Sequence, residues 1–385
     1  MSIVFFLTIF AVLLLALLAG SVWALSKITE EYTFYFWRRI LIALHVFAII
    51  VFFSGYTILA DKPFTPVLLR LATIVVVAEL IFTALVAVGF IITKSMNAFS
   101  SATTFSRSRR NLLKGALLYP AASVVTTVYG ASKGVDETVE REFQIPVKNL
   151  PDNLKGFRIA QISDVHLGRF YSLERFKELL NRVAAGKPDA LLMTGDIFDD
   201  TRINDEAIKI ADSFADKFPS GIWYCFGNHE HFRGTAAIEE AIKNTKINLL
   251  NNSSKIVVDG KRPLYFLGVD YPPSREEKKF LEEERAFTNE ALKGVPADSV
   301  KVLLAHHPEF IDAAREKNIQ LTLTGHTHGS QFGILGYPLF PVFKYTRGFY
   351  NEGDSFGYVH SGNGSWFPYR IGCPPEIAYF TLRRG

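Results

Sequence analysis

The sequence predicts an α/β sandwich domain that follows a helical, membrane-spanning region. Apolar residues dominate the chain before about residue 130, and three of the apolar runs there reach the roughly 20 residues needed to cross a bilayer. After about residue 140 the composition is that of an ordinary globular protein, and short apolar runs alternate with helical patterns. This strand–helix alternation favours an α/β sandwich. We therefore expect a transmembrane region over residues 1–130, a tether over 131–142 and a folded domain over 143–385.

The overall composition argues against two classes of protein. The 385 residues carry a formal net charge of only +4, which provides no strong electrostatic field for binding nucleic acid. The two cysteines, Cys225 and Cys373, are too few for a disulfide-stapled domain. Cys225 lies in the apolar run GIWYCF, where we expect it to be a small buried hydrophobic residue with no bridge to Cys373.

The N-terminal region contains three strong candidates for membrane-spanning helices, over Ile3–Leu25, Ile40–Ala60 and Val67–Thr93. A fourth apolar run, Leu112–Gly130, is weaker because it contains Pro120 and several Ser and Thr residues. Basic residues flank the first and third connections between these runs more heavily than the second. The positive-inside rule then predicts that these two connections are cytoplasmic, and that the N-terminus and the folded domain lie outside.

The stretch SRRNLLK, Ser108–Lys114, resembles the twin-arginine export signal of bacteria, and a mildly apolar stretch follows it. The resemblance implies a multi-pass protein of the bacterial cytoplasmic membrane whose folded domain is exported. The alternative is a plain stop-transfer flank of basic residues. Both interpretations place the folded domain on the extracytoplasmic side. No small-residue cleavage site follows the stretch, so we expect the anchor to remain attached.

Two polar residues, His45 and Glu79, lie inside the predicted membrane spans. A carboxylate within the membrane is a candidate functional group. The simpler interpretation is a protonated Glu79 that forms a hydrogen bond with a neighbouring helix.

Short apolar runs and amphipathic stretches define the elements of the folded domain. The runs predicted to be strands are Phe157–Ser163, Ala190–Thr194, Ile222–Phe226, Leu264–Val269, Val300–Ala305, Leu321–Thr324, Tyr358–Ser361 and Ile377–Leu382. The stretches predicted to be helices are Leu173–Ala185, Asp205–Lys217, Thr235–Asn244, Arg275–Leu292 and Pro308–Lys317.

Polar side chains with ligand chemistry follow five of the predicted strands. They are Asp164 and His166, Asp196 and Asp199, Asn228 and His229, His306, and His326 and His328. The carboxyl ends of strands form the crevice in which α/β sheets bind ligands, so these side chains are expected at one rim. A lone Asp at such a position is usually a helix cap and a lone His is usually structural, but the set as a whole indicates one site.

The side-chain types in this set indicate metal binding. Neutral imidazole combined with carboxylate suits Zn, Mn or Fe, whereas Mg and Ca favour shells made of oxygen alone. No thiolate takes part, which argues against a closed structural zinc site. The ligands are too many for one catalytic ion that keeps an open position, and they suit two ions about 3.5–4 Å apart that share a carboxylate.

The motifs Asp-x-His, Gly-Asp-x-x-Asp, Gly-Asn-His-Glu, His-x-Pro and Gly-His-x-His, in this order, resemble those of the calcineurin-like metallophosphoesterase superfamily. The resemblance extends over Phe143–Leu382 and is closest to the membrane-anchored bacterial branch. It implies a four-layer α-β-β-α sandwich with two divalent metal ions. It also implies hydrolysis of phosphate mono- or diester or diphosphate bonds by a hydroxide that bridges the two metals.

The resemblance further implies a role for each matching residue. The first ion would be bound by Asp164, His166 and His328, and the second by Asn228, His306 and His326. Asp196 would bridge both ions. His229 would be the catalytic acid that faces the phosphate, and Asp199 would pair with His229 and orient its ring. His307 also follows its strand, but His306 is the residue two before Pro308, as the motif requires.

The stretch LTLTGHTHGSQFG places two of these histidines on one turn. We expect His326 and His328 to alternate along extended backbone, so that their rings project to opposite sides, one toward each ion. Gly325 and Gly329 would let the backbone pass close to the ions because they carry no Cβ.

Three features near the predicted site have two interpretations each. His231 could contact the substrate or be a surface ring, and Arg370 could lie near the phosphate or have a structural partner. The aromatic segment GYPLFPVFKYTRGFY, residues 336–350, could be an amphipathic flap that rests on the bilayer and admits a lipid phosphate. Alternatively, it could be a hairpin that packs its aromatic side chains on the core.

These inferences predict a membrane-anchored dimetal phosphoesterase that acts outside the cytoplasmic membrane. Lipid-linked phosphates are the preferred substrate class, because the anchor holds the domain near lipid head groups. One alternative is a cytoplasm-facing pyrophosphohydrolase of nucleotide-linked acyl glucosamine, which the distribution of basic residues disfavours. Another is a non-catalytic, metal-binding membrane scaffold. Asp199 and His229 argue against the scaffold, because a structural metal site needs neither.

Overall fold

The computed structural model describes residues 3–98, 118–334, 336–365 and 367–385. The chain divides into two compact units, Met1–Lys133 and Gly134–Gly385. The twin-arginine-like stretch Ser108–Lys114 lies outside the described residues. The fourth apolar run, Leu112–Gly130, is described from Leu118 onward.

The described part of the first unit consists of helices α1 (Ile3–Ile28), α2 (Glu31–Gly55), α3 (Thr65–Ala98) and α4 (Leu118–Ala131). As predicted, α1, α2 and α3 are long and apolar enough to cross a membrane. α2 begins nine residues before the predicted apolar run at Ile40. Polar and aromatic residues can also form part of a helix, so the start of an apolar run does not mark the start of the helix. α4 has 14 residues and packs against α3.

The two polar residues of the predicted spans are partners of each other. His45 on α2 and Glu79 on α3 are both buried, and Nδ1 of His45 lies 2.7 Å from Oε2 of Glu79. The predicted hydrogen bond from Glu79 to a neighbouring helix is therefore present. The hydroxyls of Ser21 and Thr83 lie 3.0 Å apart and add a second polar contact, between α1 and α3.

Glu79→Ala is expected to destabilise the full-length protein by on the order of 1–2 kcal/mol, because the buried His45 loses its hydrogen-bond partner. Thermal unfolding in detergent, followed by helical circular dichroism, measures the change. The double variant His45→Phe/Glu79→Leu removes both polar groups and should recover most of the loss. Equal stability of Glu79→Ala and the wild type would show that the pair has no energetic role.

Two mixed six-stranded sheets form the second unit. The first sheet has the strand order β1 (Val139–Val147), β14 (Glu376–Arg384), β2 (Arg158–Ile162), β3 (Ala190–Thr194), β4 (Ile222–Cys225) and β5 (Ile247–Leu249). The second has the order β12 (Gly348–Glu352), β13 (Ser355–Val359), β9 (Leu321–Thr324), β8 (Val300–Leu304), β7 (Leu264–Gly268) and β6 (Ser253–Val258). Because β2–β4 run parallel to one another, as do β7–β9, their carboxyl ends share one edge of each sheet.

Helices cover the outer faces of both sheets. They are α5 (Leu173–Ala185), α6 (Asn204–Asp212), α8 (Thr235–Ile242), α9 (Glu277–Ala291) and α10 (Phe310–Glu316), whereas the short helix α7 (Asn228–Arg233) follows β4 and begins with the predicted ligand Asn228. One apolar cluster joins α5, α6 and α8 to the first sheet, and another joins α9 and α10 to the second. A third cluster, which includes Leu192, Trp223 and Phe266, fills the space between the sheets. The domain is therefore the predicted four-layer α-β-β-α sandwich.

The sequence of α5 shows how an element is placed in these layers. Its buried residues are Phe176, Leu179, Leu180 and Val183, which occupy the i, i+3, i+4 and i+7 positions of one helix face. The hydroxyl of Ser172 accepts the backbone N–H of Arg175 at 3.3 Å and caps the first turn. The helix occupies the predicted range, Leu173–Ala185, for these reasons.

Several elements differ from the predictions. β1 begins at Val139, inside the segment 131–142 that was expected to be a tether, and it pairs in parallel with β14 along its whole length. The strand lies at a sheet edge, and its apolar residues Val139, Phe143, Ile145 and Val147 alternate with more exposed ones. This period-two pattern is typical of a half-buried strand, and the prediction of a tether overlooked it. The predicted helix Asp205–Lys217 is α6 followed by a separate 3₁₀ turn, Ala215–Lys217.

Both cysteines, Cys225 and Cys373, are buried and free.

Candidate metal centre

The loops after β2 and β9 bring together the residues predicted for the first metal. The ligand atoms of Asp164, His166 and His328 all lie within 4.8 Å of one another. Nε2 of His328 is 3.1 Å from Nε2 of His166 and 3.5 Å from Oδ1 of Asp164. All three residues are buried, so the group could exclude bulk water from a bound ion.

The loops after β3, β4, β8 and β9 bring together the residues predicted for the second metal. Ligand atoms of Asp196, His306 and His326 lie within 4.8 Å of one another. Nε2 of His306 is 3.2 Å from Oδ2 of Asp196 and 3.3 Å from Nδ1 of His326. The side-chain oxygen of Asn228 lies 2.9 Å from the same nitrogen of His326, so it belongs to this group.

Asp196 lies between the two groups. Its Oδ2 is 3.2 Å from Nε2 of His306, in the second group, and 3.6 Å from Nε2 of His166, in the first. Although burial favours the neutral acid, the surrounding imidazoles, that of His306 foremost, hold the pKa of Asp196 well below its usual range. The side chain is therefore an anion placed where a bridging ligand would be needed.

The donor set fits a pair of divalent cations. Ring nitrogens face each other at 3.1 Å between His166 and His328, and at 3.3 Å between His306 and His326. Two imidazole lone pairs this close repel unless a proton or a cation lies between them. Burial, with nearby cationic groups, lowers the pKa of His326 and His328 well below the usual value. Neutral imidazoles and ionised carboxylates are the forms that bind such metals.

Backbone groups fix the orientation of several predicted ligands. The carbonyl oxygen of Thr194 accepts Nδ1–H of His306 at 2.8 Å, which fixes that ring with its Nε2 on the side of Asp196. The backbone N–H of His326 donates to Oδ1 of Asp164 at 3.0 Å. The rings and carboxylates are therefore held in place by the protein itself.

Five of the predicted ligands have backbones in the left-handed region, with φ between 49° and 72°, namely Asp164, His166, Asp196, His326 and His328. Residues other than glycine rarely adopt this conformation, and such outliers cluster at functional sites. The prediction that His326 and His328 lie on extended backbone is therefore wrong. β9 ends at Thr324, and the tight turn that follows, rather than alternation along a strand, sends the two rings to different groups.

Two glycines allow the backbone to approach the carboxylates. A Cβ at Gly325 would collide with the carboxylate of Asp164, and a Cβ at Gly227 would collide with that of Asp196. Any larger residue at these positions would have to displace a predicted ligand.

Asp199 connects the predicted catalytic acid with the ligand shell. Its Oδ2 lies 2.9 Å from Nδ1 of His229 and 3.0 Å from Nδ1 of His166, while its Oδ1 accepts Nε–H of Arg233 at 2.9 Å. The predicted pairing of Asp199 with His229 is therefore present. Burial alone would raise the pKa of Asp199, but its imidazole partners hold it well below the usual range. Burial alone would lower the pKa of His229, but Asp199 and Asp196 raise it.

Glu230 is a residue of the site that the sequence reasoning missed. It is fully buried, and its two carboxylate oxygens accept four backbone N–H groups at 2.7 to 3.0 Å, from Gly227, Asp196, Ile197 and Phe198. Glu230 therefore holds the loop that carries Asp196 against the turn that carries Asn228. The only signal in the sequence is its place directly after His229 in GNHE, and its inward orientation depends on α7.

Glu230→Gln is expected to weaken metal retention by about 10- to 100-fold, because an amide nitrogen cannot accept the N–H groups that one carboxylate oxygen now accepts. Metal content after dialysis against a weak chelator measures the effect. Glu240→Gln, which changes an exposed glutamate on α8, is the matched control and should retain metal like the wild type. Unchanged retention in Glu230→Gln would mean that Glu230 does not support the site.

Two of the residues with alternative interpretations have structural partners. Nδ1 of His307 lies 3.1 Å from Oε1 of Glu284, and burial and the charge of His306 lower the pKa of His307 to about 3. His307 belongs to neither ligand group, which favours His306 as the ligand after β8. Arg370 is fully buried and donates to two carbonyl oxygens, which favours a structural role.

A cavity of about 660 Å³ adjoins the second ligand group at Asn228. Tyr271 and Phe343 are among the side chains that line it, and the ring centroid of Phe343 lies 5.2 Å from that of His326. His231 lines the same cavity, so it is placed to contact a molecule bound there.

Residues 157–330 match the family model of calcineurin-like phosphoesterases. This range contains all seven predicted metal ligands and both predicted catalytic residues. The match ends before the residues that follow Ser330, so the segment after the metal centre lies beyond it.

Three curated proteins illustrate the similarity. An uncharacterized metallophosphoesterase of Bacillus subtilis, YkuE, is 29% identical, and the alignment covers 72% of this chain and 98% of the relative. The phosphodiesterase YaeI of Escherichia coli is 28% identical over 60% of this chain and 84% of the relative. A transmembrane protein with metallophosphoesterase domain from Danio rerio is 27% identical over 68% of this chain and 61% of its own length.

Proposed function

Because the chain carries a calcineurin-like metallophosphoesterase domain and is thereby a metal-dependent phosphoesterase, we propose that it hydrolyses phosphate mono- or diester or diphosphate bonds at the candidate metal centre. The observation that carries this proposal is the convergence of seven side chains, from five separate loops, into two adjoining groups that Asp196 joins.

The two groups are assigned to two divalent ions. The ligands are Asp164, His166 and His328 for one ion, Asn228, His306 and His326 for the other, and Asp196 for both. Ions held there would offset the charge of a phosphate group and lower the pKa of a water molecule toward neutrality. Mn, Zn and Fe all suit this mixture of imidazole and carboxylate.

His229 is assigned the role of proton donor. A carboxylate only accepts hydrogen bonds, so Nδ1–H of His229 donates to Asp199 and the second proton of the imidazolium is on Nε2. That proton can stabilise a phosphate oxygen or be transferred to the leaving alkoxide. Arg233 holds Asp199 from its other oxygen. A scaffold without activity needs no such donor, and this arrangement therefore supports catalysis.

The protein is further proposed to be a multi-pass protein of the bacterial cytoplasmic membrane, with its catalytic domain on the extracytoplasmic side and lipid-linked phosphates as substrates. The three apolar helices and the distribution of basic residues around them support this proposal, with the fourth apolar run, Leu112–Gly130, as the span that returns the chain to the extracytoplasmic side. Protease digestion of sealed inside-out and right-side-out vesicles tests it. Cleavage of the domain only from the cytoplasmic side would favour the alternative of a cytoplasm-facing pyrophosphohydrolase.

Removal of metal is expected to abolish hydrolysis, and reconstitution is expected to restore it with two ions per chain. The full-length protein is stripped with a chelator, reloaded separately with Mn, Zn or Fe, and assayed against phosphate monoesters, diesters and lipid phosphates. Activity should rise with the second equivalent of metal, because Asp196 can bridge only when both groups are filled. Full turnover in the metal-free protein would overturn the proposed function.

A further inference from the structure

An exposed apolar hairpin follows the metal centre. Its described residues are 333–334 and 336–343, and it contains two short antiparallel strands, β10 (Gly333–Ile334) and β11 (Tyr337–Pro338), in which Ile334 pairs with Tyr337. In the described part of the second unit, five of the eight large apolar side chains that are exposed belong to this hairpin. They are Ile334, Tyr337, Leu339, Phe340 and Val342.

The aromatic segment 336–350, for which the sequence leaves two interpretations, has two parts that differ in burial. The later part packs on the core, since Tyr345 is buried in a cluster with Ile311 and Val359. The earlier part does not, because Tyr337 is 78% exposed and Val342 is 82% exposed. An apolar surface of this kind on a folded domain marks an interaction site.

The apolar hairpin is continuous with the cavity beside the metal centre. Its last residues, Val342 and Phe343, line that cavity, as does Phe232, which is 65% exposed. The ring centroid of Phe232 lies 5.5 Å from that of His229, and that of Phe343 lies 5.2 Å from that of His326. Apolar side chains therefore extend from the exposed hairpin toward the predicted acid and the second ligand group, along a cavity wall that also carries Arg275, Glu277 and Glu309.

The path of the chain indicates the partner of this surface. α4 packs against the apolar helix α3, and only seven residues, 132–138, separate the end of α4 from β1. Seven residues span at most about 25 Å even when fully extended. The domain is therefore joined by a short connection to helices that are apolar enough to cross a bilayer, and that bilayer is the apolar phase that the connection keeps available to the hairpin.

We propose that the apolar hairpin inserts into the bilayer interface and that the cavity admits the phosphate ester of a membrane lipid. The acyl chains remain in the bilayer, while the phosphate reaches the Asn228 side of the metal centre past Val342 and Phe343. The choice of substrate rests on the proposed phosphoesterase function, whereas the insertion of the hairpin does not.

Insertion is tested with a fluorescent label on Tyr337→Cys in the full-length protein. Both native cysteines are buried, so the introduced thiol reacts selectively. Ile256→Cys, on β6 and 46% exposed, is the matched control. The protein is placed in nanodiscs that each hold one copy. A nitroxide attached to the lipid should quench the label of Tyr337→Cys, and iodide in the water should not. The label of Ile256→Cys should be quenched by iodide and not by the nitroxide. Equal accessibility of both labels to iodide would overturn insertion, and single occupancy removes shielding by a second copy.

The substrate class is tested with Tyr337→Glu, which places a charge on the hairpin without altering the cavity. Turnover of a lipid phosphate in vesicles should fall by about tenfold or more, because a charged side chain no longer partitions into the interface. The same variant should hydrolyse the small soluble ester bis(p-nitrophenyl) phosphate within about twofold of the wild-type rate. The controls Tyr337→Leu and Ile256→Glu should hydrolyse both the lipid phosphate and the soluble ester within about twofold of the wild type.

The possible outcomes separate the two proposals. Equal loss on lipid and soluble esters in Tyr337→Glu, or equal retention on both, would overturn the lipid route. Absence of turnover on every ester in the metal-loaded wild type would instead overturn the proposed function, and the quenching result would still decide insertion.

Discussion

Asp196→Asn should abolish phosphoester hydrolysis and reduce the bound metal from two ions per chain to at most one. Asp196 is the carboxylate that lies between the two ligand groups, 3.2 Å from His306 and 3.6 Å from His166. Asparagine keeps its size and can still accept the backbone N–H of His229, a bond of 2.9 Å in the structure. The substitution therefore removes the charge that two cations would share and leaves the local backbone contact intact.

The expected loss of kcat/KM is about a thousandfold or more, since metal ions supply several kcal/mol of transition-state stabilisation. Turnover and metal content by elemental analysis are measured on the same preparation, together with thermal unfolding. Asp216→Ala, which removes a carboxylate that is 83% exposed and pairs with Lys246, is the control and should behave as the wild type. A variant Asp196→Asn that keeps two ions and near-normal turnover would refute the bridging role.

The positions of the site residues follow from a pattern that the sequence displays openly. Each predicted ligand stands just after a short apolar run, and parallel strands must end at a common edge. The runs Ala190–Thr194 and Leu321–Thr324 are strands with these same bounds in the structure. Burial on both faces keeps such strands short and apolar, so their ends were predictable to within a residue or two.

The supporting interactions of the site could not be predicted in this way. Glu230 and Glu284 are buried acids on helices. Apart from the place of Glu230 directly after His229, nothing in their immediate sequence distinguishes them from exposed acids. Burial raises the pKa of Glu284 to about 9, so at neutral pH it is a neutral partner for His307. These roles depend on contacts between distant segments, and a single sequence contains no record of such contacts.

The backbone of the ligand turns was predicted wrongly for a related reason. The spacing of His326 and His328 is the same in an extended strand and in a tight turn, and the left-handed values of φ at both residues are costly without support from the surrounding fold. Gly325, which packs against Asp164, provides part of that support. The apolar hairpin shows the converse case, since its composition leaves both a segment packed on the core and a bilayer contact open.

Asp199 contacts more groups than its predicted partner His229. Oδ2 of Asp199 contacts the imidazoles of both His229 and His166, and its Oδ1 contacts Arg233. One carboxylate therefore orients the predicted acid and a predicted ligand of the first metal together. A change at Asp199 should affect both proton transfer and metal binding, whereas a change at His229 should affect only the former.

His229→Ala is accordingly expected to keep both metals and to lose about 10²- to 10⁴-fold in kcat, the range of general acid catalysis. The loss should depend on the leaving group. An alkyl phosphate ester needs a proton on its departing oxygen, so it should show the full loss. A p-nitrophenyl ester leaves as a stable anion and should show a much smaller loss. Equal losses on both substrates would indicate that His229 only stabilises charge on the phosphate, and unchanged turnover would remove it from the mechanism.

The pH dependence of Asp199→Asn completes this test. Asp199 contributes to raising the pKa of His229, and activity that requires the protonated imidazole falls as the pH rises through that pKa. Loss of the carboxylate lowers the pKa of His229, so the alkaline limb of the pH–rate profile should move to lower pH in Asp199→Asn. His229→Ala should lose this limb altogether. An alkaline limb that stays in place in both variants would assign it to another group, and His229 would then have no role as the acid.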